Sequence, residues 1–488
     1  MNIIFVTPEM EPLVKVGGLA DVVSALSLEL ARSGDEVSIV LPHYSGINAP
    51  RERITNTGVS ISVQLDGVDW KGTVSAYRHA GVLVYLVGNP TLFDREGIYG
   101  IGGTDYTDNA VRFAFLARGA LEVSKALNLE TDVFHIHDWQ TALLPVFKKL
   151  YYQKEREIGR AGVVMSIHNL AYQGLFGSEF VTRLGLPWDI FNLQNLEFYG
   201  QLSFLKGGLV HSDLLTTVSP TYAKEIQTPE YGAGLHGLLR QRVDDLVGIL
   251  NGIDTSVWNP QTDGDLFAPY SVEDLSGKAT NKKCLQALLG LQVSEEIPLF
   301  GCVARLDPQK GFDLVLEVAP TMLGEGAQLV ILGSGRQEYL DAFKELARAY
   351  PDKLSLNEGF QRELAPKIYA GSDFFLMPSR YEPCGLGQMI ALRYGTIPVV
   401  RRTGGLADTI EDVDQSPSKG NGYVFGKFAA SALLETTRRA MAGFKRSETW
   451  RELILRGMKQ DLSWKSSVDS YKDVYSRAVD KPKARSPK

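Results

Sequence analysis

Short runs of aliphatic and β-branched residues, each closed by turn residues, recur at positions 3–6, 36–41, 82–87, 133–136, 162–167 and 214–218. Amphipathic segments separate several of them. Nearly continuous apolar runs of this length predict strands buried on both faces, alternating with helices. The alternation resumes at 299–303, 328–332, 374–377 and 397–400. Two such series predict an α/β protein with two doubly wound domains. A hinge is expected around 247–260, ahead of a turn-rich stretch at 261–276. Near the end, Trp464, Val468, Tyr471, Val474 and Tyr475 recur at helical spacing, so a helix over 463–480 should pack across a domain face. The expected divisions are therefore 1–247, 248–462, the helix 463–480 and a basic, apolar-poor tail at 481–488, frayed from about Asp480 onward.

Composition narrows the class. A chain of 488 residues is too long for one ordinary core, and 44% hydrophobic with 22% charged residues describes a globular enzyme-like protein. A net charge of −6 supplies no basic face for nucleic acid. Cys284, Cys302 and Cys384 are odd in number, far apart and without metal-ligand spacing, which argues against a disulfide framework or a zinc site. A reducing, cytoplasmic setting fits. No apolar run approaches the roughly 18–20 residues of a membrane span, and no targeting segment is expected.

Candidate chemistry gathers at the ends of the predicted strands. Gly-Gly-Leu-Ala-Asp occurs twice, at 17–21 and 404–408, beside Lys15 in one case and Arg401 and Arg402 in the other. Adjacent glycines ahead of a helix bring backbone N–H groups and the positive helix end toward an anion, although the same letters also serve as simple loop chemistry. Arg305 and Lys310 follow the strand at 299–303, on the edge where open α/β sheets bind ligands; an Arg305–Asp307 surface pair is the alternative. Glu382 follows the strand ending at Met377, where a carboxylate could hold sugar hydroxyls or balance an oxocarbenium ion, or simply sit at a helix start. His137-Asp138 and His168-Asn169 follow two first-domain strands and suit acid–base work or sugar orientation, while His135 reads as a core residue. Gly333-Ser-Gly335 begins a dinucleotide fingerprint but lacks its third glycine, since position 338 is Glu. Asp263-Gly-Asp265 and Asp412-Val-Asp414 have a pattern used for metal–diphosphate binding, but their contexts read as solvated turns.

Taken together and in order, several motifs resemble the bacterial glycogen synthase and plant starch synthase family over nearly the whole chain. They are Lys15-Val-Gly-Gly-Leu-Ala-Asp-Val22, Tyr106-Thr-Asp-Asn-Ala-Val-Arg-Phe113, His137-Asp-Trp139, His168-Asn-Leu-Ala-Tyr-Gln-Gly174, Thr216 to Ala223, Asn251-Gly-Ile-Asp254, Arg305 to Gly311, Glu382-Pro-Cys-Gly-Leu386 and Thr403-Gly-Gly-Leu406. The resemblance implies a GT-B architecture, two Rossmann-like domains facing a deep cleft, with a C-terminal helix crossing back to the first. It implies a retaining transfer of glucose from ADP-glucose to the non-reducing 4-OH of an α-1,4-glucan, releasing ADP, with no cofactor and no metal. The acceptor would be glycogen or a maltooligosaccharide.

By motif match, Lys15, Asp138, His168, Arg305, Lys310 and Glu382 would be catalytic. Gly17, Gly18, Asn251, Phe360, Cys384, Gly385, Leu386, Thr403 and Gly404 would meet the donor. Asp21, Asn169 and Tyr172 would lie on the acceptor side. The chain departs from the family's usual wording at Val16 and Gly387, where threonine is common, at Gln140 and at Phe360. Lost hydroxyls at 16 and 387 bear on donor affinity more than on reaction class. The alternatives are a GT-B enzyme using UDP-glucose and a catalytically weak nucleotide- or glucan-binding homologue.

Overall fold

The computed structural model describes residues 1–359, 361–445 and 447–485. Its strands, in chain order, are β1 Asn2–Val6, β2 Glu36–Pro42, β3 Thr55–Leu65, β4 Val68–His79, β5 Val82–Gly88, β6 Gly100–Ile101, β7 Thr104–Asp105, β8 Val133–His137, β9 Gly162–Ile167, β10 Leu175–Phe176, β11 Glu197–Phe198, β12 Gln201–Ser203, β13 Leu214–Thr217 and β14 Leu246–Gly248 in the first half. The second half carries β15 Leu299–Val303, β16 Gln328–Gly333, β17 Leu354–Glu358, β18 Phe374–Met377, β19 Ile397–Arg401 and β20 Tyr423–Phe425.

Two compact units result: residues 1–218, 223–251 and 467–488 form one, and 219–222 with 252–466 form the other. The first is built on a nine-stranded sheet in the order β14-β13-β9-β8-β1-β2-β5-β4-β3. From β14 to β5 every pairing is parallel, and β4 and β3 add an antiparallel hairpin at the edge. The second is a six-stranded, all-parallel sheet ordered β17-β16-β15-β18-β19-β20. Strand order reverses direction beside β1 in one sheet and beside β15 in the other. Such switch points leave a crevice at the carboxyl ends of the strands.

All ten apolar runs form strands. β3 and β4 were not foreseen, because on a half-exposed edge their residues alternate polar and apolar rather than running apolar throughout. The expected boundary after residue 247 falls inside β14, which pairs in parallel with β13 and keeps the chain in the first unit to Asn251.

The last helix runs Lys465–Arg485. Val468, Tyr471, Val474 and Tyr475 are buried as the spacing predicts, and the Tyr475 hydroxyl lies 2.9 Å from His135 Nδ1. A frayed tail from Asp480 is not what the chain adopts: the helix continues to Arg485, and Lys481 Nζ donates to the Asp213 carbonyl at 2.8 Å. Residues 486–488 lie outside the described residues.

Candidate active site

In the first unit the loop after β1 carries Lys15, Gly17 and Gly18 and leads into the helix Gly18–Arg32. The turn is exposed, and a β-carbon at Gly17 would meet nothing within 4 Å. Its amides are nevertheless partly occupied. The buried Glu9 carboxylate accepts from Val16 N–H at 2.6 Å and Gly17 N–H at 2.9 Å through Oε2, and from the Tyr99 hydroxyl at 2.5 Å through Oε1. A protein carboxylate thus satisfies donors that the sequence offers to an external anion, an arrangement that no pattern around Glu9 signalled. Lys15 Nζ pairs with Asp21 Oδ1 at 2.6 Å, so the cation expected to meet the donor and the carboxylate expected on the acceptor side are brought together. Burial raises the Asp21 carboxyl against the lowering effect of Lys15. The Val16 side chain is 62% exposed, beside this pair.

β8 and β9 are neighbours, so their carboxyl ends place His137-Asp138 beside His168-Asn169. His137 Nδ1 and His168 Nε2 lie 3.0 Å apart. Asp138 has φ +52°, a left-handed conformation that side chains other than Asn or Asp rarely adopt. This turns its carboxylate onto His168 N–H at 2.7 Å, with Asn169 N–H at 3.4 Å. Burial raises the Asp138 carboxyl to about 7 against those two amides. It also lowers His168 to about 4 and His135 to about 3, keeping both rings neutral. His135 is the core residue expected, bonded to Ser166 Oγ at 2.7 Å. Tyr172 is half exposed, beyond Asn169, whose side chain accepts from Ala171 N–H at 3.1 Å. Asn251 is buried at the end of this unit, and its Oδ1 has no hydrogen-bond partner among the described residues.

Arg112, in the Tyr106 to Phe113 motif, is wholly buried and donates to the carbonyls of Leu92 at 2.7 Å and Ile98 at 2.8 Å. That motif is scaffold: it fixes the segment presenting Tyr99 to Glu9.

In the second unit β15, β18 and β19 are adjacent, which gathers Arg305, Lys310, Glu382, Thr403 and Gly404 on three neighbouring strand ends. Lys310 Nζ donates to Glu382 Oε1 at 2.9 Å and Oε2 at 2.7 Å, and Ser379 Oγ donates to Oε2 at 2.9 Å. Glu382 is buried, so the pair is largely withdrawn from solvent. A lysine ammonium has three donors, and these two bonds leave one for a ligand. Arg305 Nε meets Asp307 Oδ2 at 2.5 Å and its side chain is 55% exposed, so the alternative, a surface pair, is the arrangement adopted. Asp307 also accepts from Lys310 N–H at 3.2 Å, fixing the turn that carries the lysine.

The second Gly-Gly is built for a different purpose from the first. Gly404 has φ +44°, and a β-carbon there would overlap the Glu382 carbonyl oxygen. Gly405 N–H donates to Glu382 O at 3.1 Å. These glycines let the β19 loop press on the backbone of Glu382, Pro383 and Cys384, and Thr403 and Gly404 are buried. Arg401 and Arg402 bond to protein groups, Arg401 to Gly426 O at 3.2 Å and Arg402 to Gln415 Oε1 at 3.2 Å. Asp408 accepts from Ser219 Oγ at 2.5 Å and Thr221 Oγ1 at 2.6 Å, unlike its counterpart Asp21.

Cys384 is buried, Gly385 has φ +73°, and Leu386 precedes the helix Gly387–Arg393. A β-carbon on Gly387 would come within 2.9 Å of Phe375 Cε1, so the phenyl ring fills the space a threonine would need.

Gly333-Ser-Gly335 is a backbone junction, with Leu306 N–H donating to Ser334 O at 2.8 Å. In each Asp-x-Asp motif the first carboxylate is tied into the fold, Asp412 buried against Arg439 at 3.2 Å and Asp263 accepting from the Tyr394 hydroxyl at 2.5 Å, while Asp414 and Gly264 stay exposed as expected of solvated turns. Phe360 lies outside the described residues. A cavity of about 430 Å³, lined by residues that include Arg402, Asp408, Asp412 and Lys419, lies apart from Lys310 and Glu382.

The family model described as "Starch synthase catalytic domain" matches residues 2–241, and "Glycosyl transferases group 1" matches 291–453. The glycogen synthase of Geotalea uraniireducens is 46% identical over 479 residues, covering 98% of this chain and 99% of that protein. Glycogen synthase 2 of Geobacter sulfurreducens is 45% identical over 480 residues, with 98% and 99% covered. The catalytic domain of starch synthase IV from Arabidopsis thaliana, solved bound to ADP and acarbose, matches with a TM-score of 0.91 at 34% identity, covering 98% of this chain and 99% of that one. A sucrose-phosphate synthase from Thermosynechococcus elongatus, at 16% identity and a TM-score of 0.61, covers 98% of each chain and shares the fold.

Proposed function

The chain belongs to the glycogen synthase and starch synthase family and is a glucosyltransferase of two-domain GT-B architecture, and from that premise we propose how its residues divide the reaction. Its activity is that of a glycogen or starch synthase. The donor is ADP-glucose and the acceptor the non-reducing 4-OH of an α-1,4-glucan, with configuration retained. The supporting observation is the Lys310–Glu382 pair at the ends of adjacent parallel strands, a cation and a carboxylate where open α/β sheets receive nucleotides.

Lys310 and Arg305 take up the charge that develops on the departing diphosphate. Glu382, held by Lys310 and Ser379, receives hydroxyls of the transferred glucose. Both its oxygens are engaged, which suits a positioning carboxylate better than a nucleophile and favours attack from the face that the diphosphate leaves. Asp138 and His168 meet the sugar, Lys15 the donor, and Asp21, Asn169 and Tyr172 the acceptor. Gly17, Gly18, Asn251, Phe360, Cys384, Gly385, Leu386, Thr403 and Gly404 form the donor's surroundings. The reaction is proposed to need neither metal nor cofactor and to take place in the cytoplasm. Among the described residues no helix is long and apolar enough to cross a membrane.

The test is transfer of labelled glucose from ADP-glucose and from UDP-glucose into glycogen, in parallel. ADP-glucose is expected to be the better donor; label entering from UDP-glucose alone would overturn the donor assignment. A trapped covalent glucosyl adduct would overturn the same-face route.

A further inference from the structure

Three histidine rings stand in contact in the first unit, and the middle one has no part in the reaction so far. His135 and His137 lie on β8, both wholly buried, with ring centroids 4.3 Å apart. The centroids of His137 and His168 are 5.3 Å apart, and of the three only His168 is partly exposed. The middle ring is firmly held. His137 N–H donates to Thr141 Oγ1 at 2.8 Å, and that hydroxyl donates to His137 O at 2.9 Å. The Phe5 ring stacks on His137 with centroids 5.4 Å apart and planes 25° apart.

The ring nitrogens can be followed to their partners. His135 uses both of its own elsewhere, Nδ1 with the Tyr475 hydroxyl at 2.9 Å and Nε2 with Ser166 Oγ at 2.7 Å. His137 Nδ1 faces His168 Nε2 at 3.0 Å, whereas His137 Nε2 is buried without a hydrogen-bond partner among the described residues. Burial keeps both rings neutral, so each carries a single proton, and one of the two facing nitrogens donates to the other. Were His168 Nε2 the donor, His137 would carry its own proton on Nε2, an N–H sealed from any acceptor. Were His137 Nδ1 the donor, only a lone pair would go unused. An orphaned buried N–H is the rarer defect of the two, which selects His137 Nδ1 as the donor.

We infer that His137 is a positioning residue of the transfer reaction: its Nδ1–H donates to His168 Nε2 and thereby fixes the proton of His168 on Nδ1. The partly exposed His168 ring then presents an N–H donor, not a bare lone pair, to the sugar it is proposed to meet. A hydroxyl oxygen is the matching acceptor. His168 is held from its backbone as well, since its N–H donates to Asp138 Oδ1 at 2.7 Å. The inference rests on the synthase reading above for its substrate and on hydrogen-bond geometry for the tautomer.

Isotope-labelled histidine in the full chain provides the test. Two-bond proton–nitrogen correlation spectra read which nitrogen of each of the seven imidazoles holds its proton, and His168→Gln identifies the signals of position 168. In the unmodified protein His168 should be protonated on Nδ1 and bare on Nε2. His137→Phe keeps an aromatic ring against Phe5 and removes the donor. It should abolish that pattern at His168 and lower turnover of ADP-glucose into glycogen roughly two- to tenfold, the worth of one hydrogen bond. His137→Asn places an amide N–H the same number of bonds from the backbone as Nδ1 and should restore both the pattern and the rate. His168 protonated on Nε2 in the unmodified protein would overturn the inference. So would unchanged turnover in His137→Phe, or equal losses in the two variants with the His168 pattern intact, which would mark His137 as packing alone. Absence of transfer by the unmodified protein would instead overturn the synthase reading, and the spectra, taken without substrate, would still decide the tautomer.

Discussion

Lys310 and Glu382 are each other's main partners in this structure, and that coupling makes the effect of changing either one specific. Lys310→Ala removes the cation proposed to take up leaving-group charge and leaves a buried carboxylate without its charge partner. Turnover should fall on the order of 10²- to 10³-fold, as when a transition-state charge donor is lost. Arg305→Ala should act in the same direction with little effect on stability, because its ion pair is exposed. Steady-state rates with circular dichroism check both, and near-normal turnover in the two variants would remove them from the chemistry.

Asp138 sets a pH dependence. Its carboxyl is raised to about 7, so between its ordinary value and about 7 the folded state holds more protons than the unfolded one. Stability from this group is therefore lost as pH rises through that window. Asp138→Asn should lower the rate, remove an inflection near pH 7 from the rate profile and raise the thermal midpoint at pH 8 relative to the unmodified protein.

Among elements, the final helix bears on the interior of the first sheet through Tyr475, His135, Ser166 and Thr216, a buried chain with spacings of 2.9, 2.7 and 2.6 Å. Tyr475→Phe would leave His135 Nδ1 buried without that hydroxyl and should cost about 1–3 kcal/mol, measurable by urea unfolding. The neighbouring rings add a sign of their own. Because His135 and His168 are lowered, the unfolded state binds more protons as pH falls from about 6.5 toward 4, and stability declines over that range. In an Asp138→Asn background, which removes the opposing carboxyl titration, a urea midpoint that did not fall between pH 7 and pH 4.5 would contradict the neutral burial of these rings.

Across the molecule, the two units each present candidate functional residues at the carboxyl ends of parallel strands. If ADP binds the native protein and not the unfolded chain, it stabilises by mass action, about 2.7 kcal/mol at a hundredfold excess over Kd. A thermal-shift series should show ADP raising the midpoint at lower concentration than UDP. Equal responses would weaken the assignment of ADP-glucose as donor.

Much of this was legible from local pattern. Apolar runs such as Val82 to Val87 and Gly162 to Ile167 specify buried strands because continuous hydrophobicity has no other economical use in an α/β domain. The positions of Lys310, Glu382, His168 and Asp138 followed from their places just after such runs. Other features depended on contacts between residues distant in the chain. Nothing near Glu9 indicates that its carboxylate turns back onto Val16 and Gly17, and nothing in Gly404-Gly405 distinguishes a phosphate turn from one pressed onto Glu382. The same five letters fold into an open turn in one unit and a packed junction in the other. Sequence by itself determined which groups stand at the strand ends, because periodicity and burial are local. Only the tertiary structure decided which of their hydrogen bonds are already taken, because partners such as Glu9, Ser379 and Asp307 become neighbours through folding.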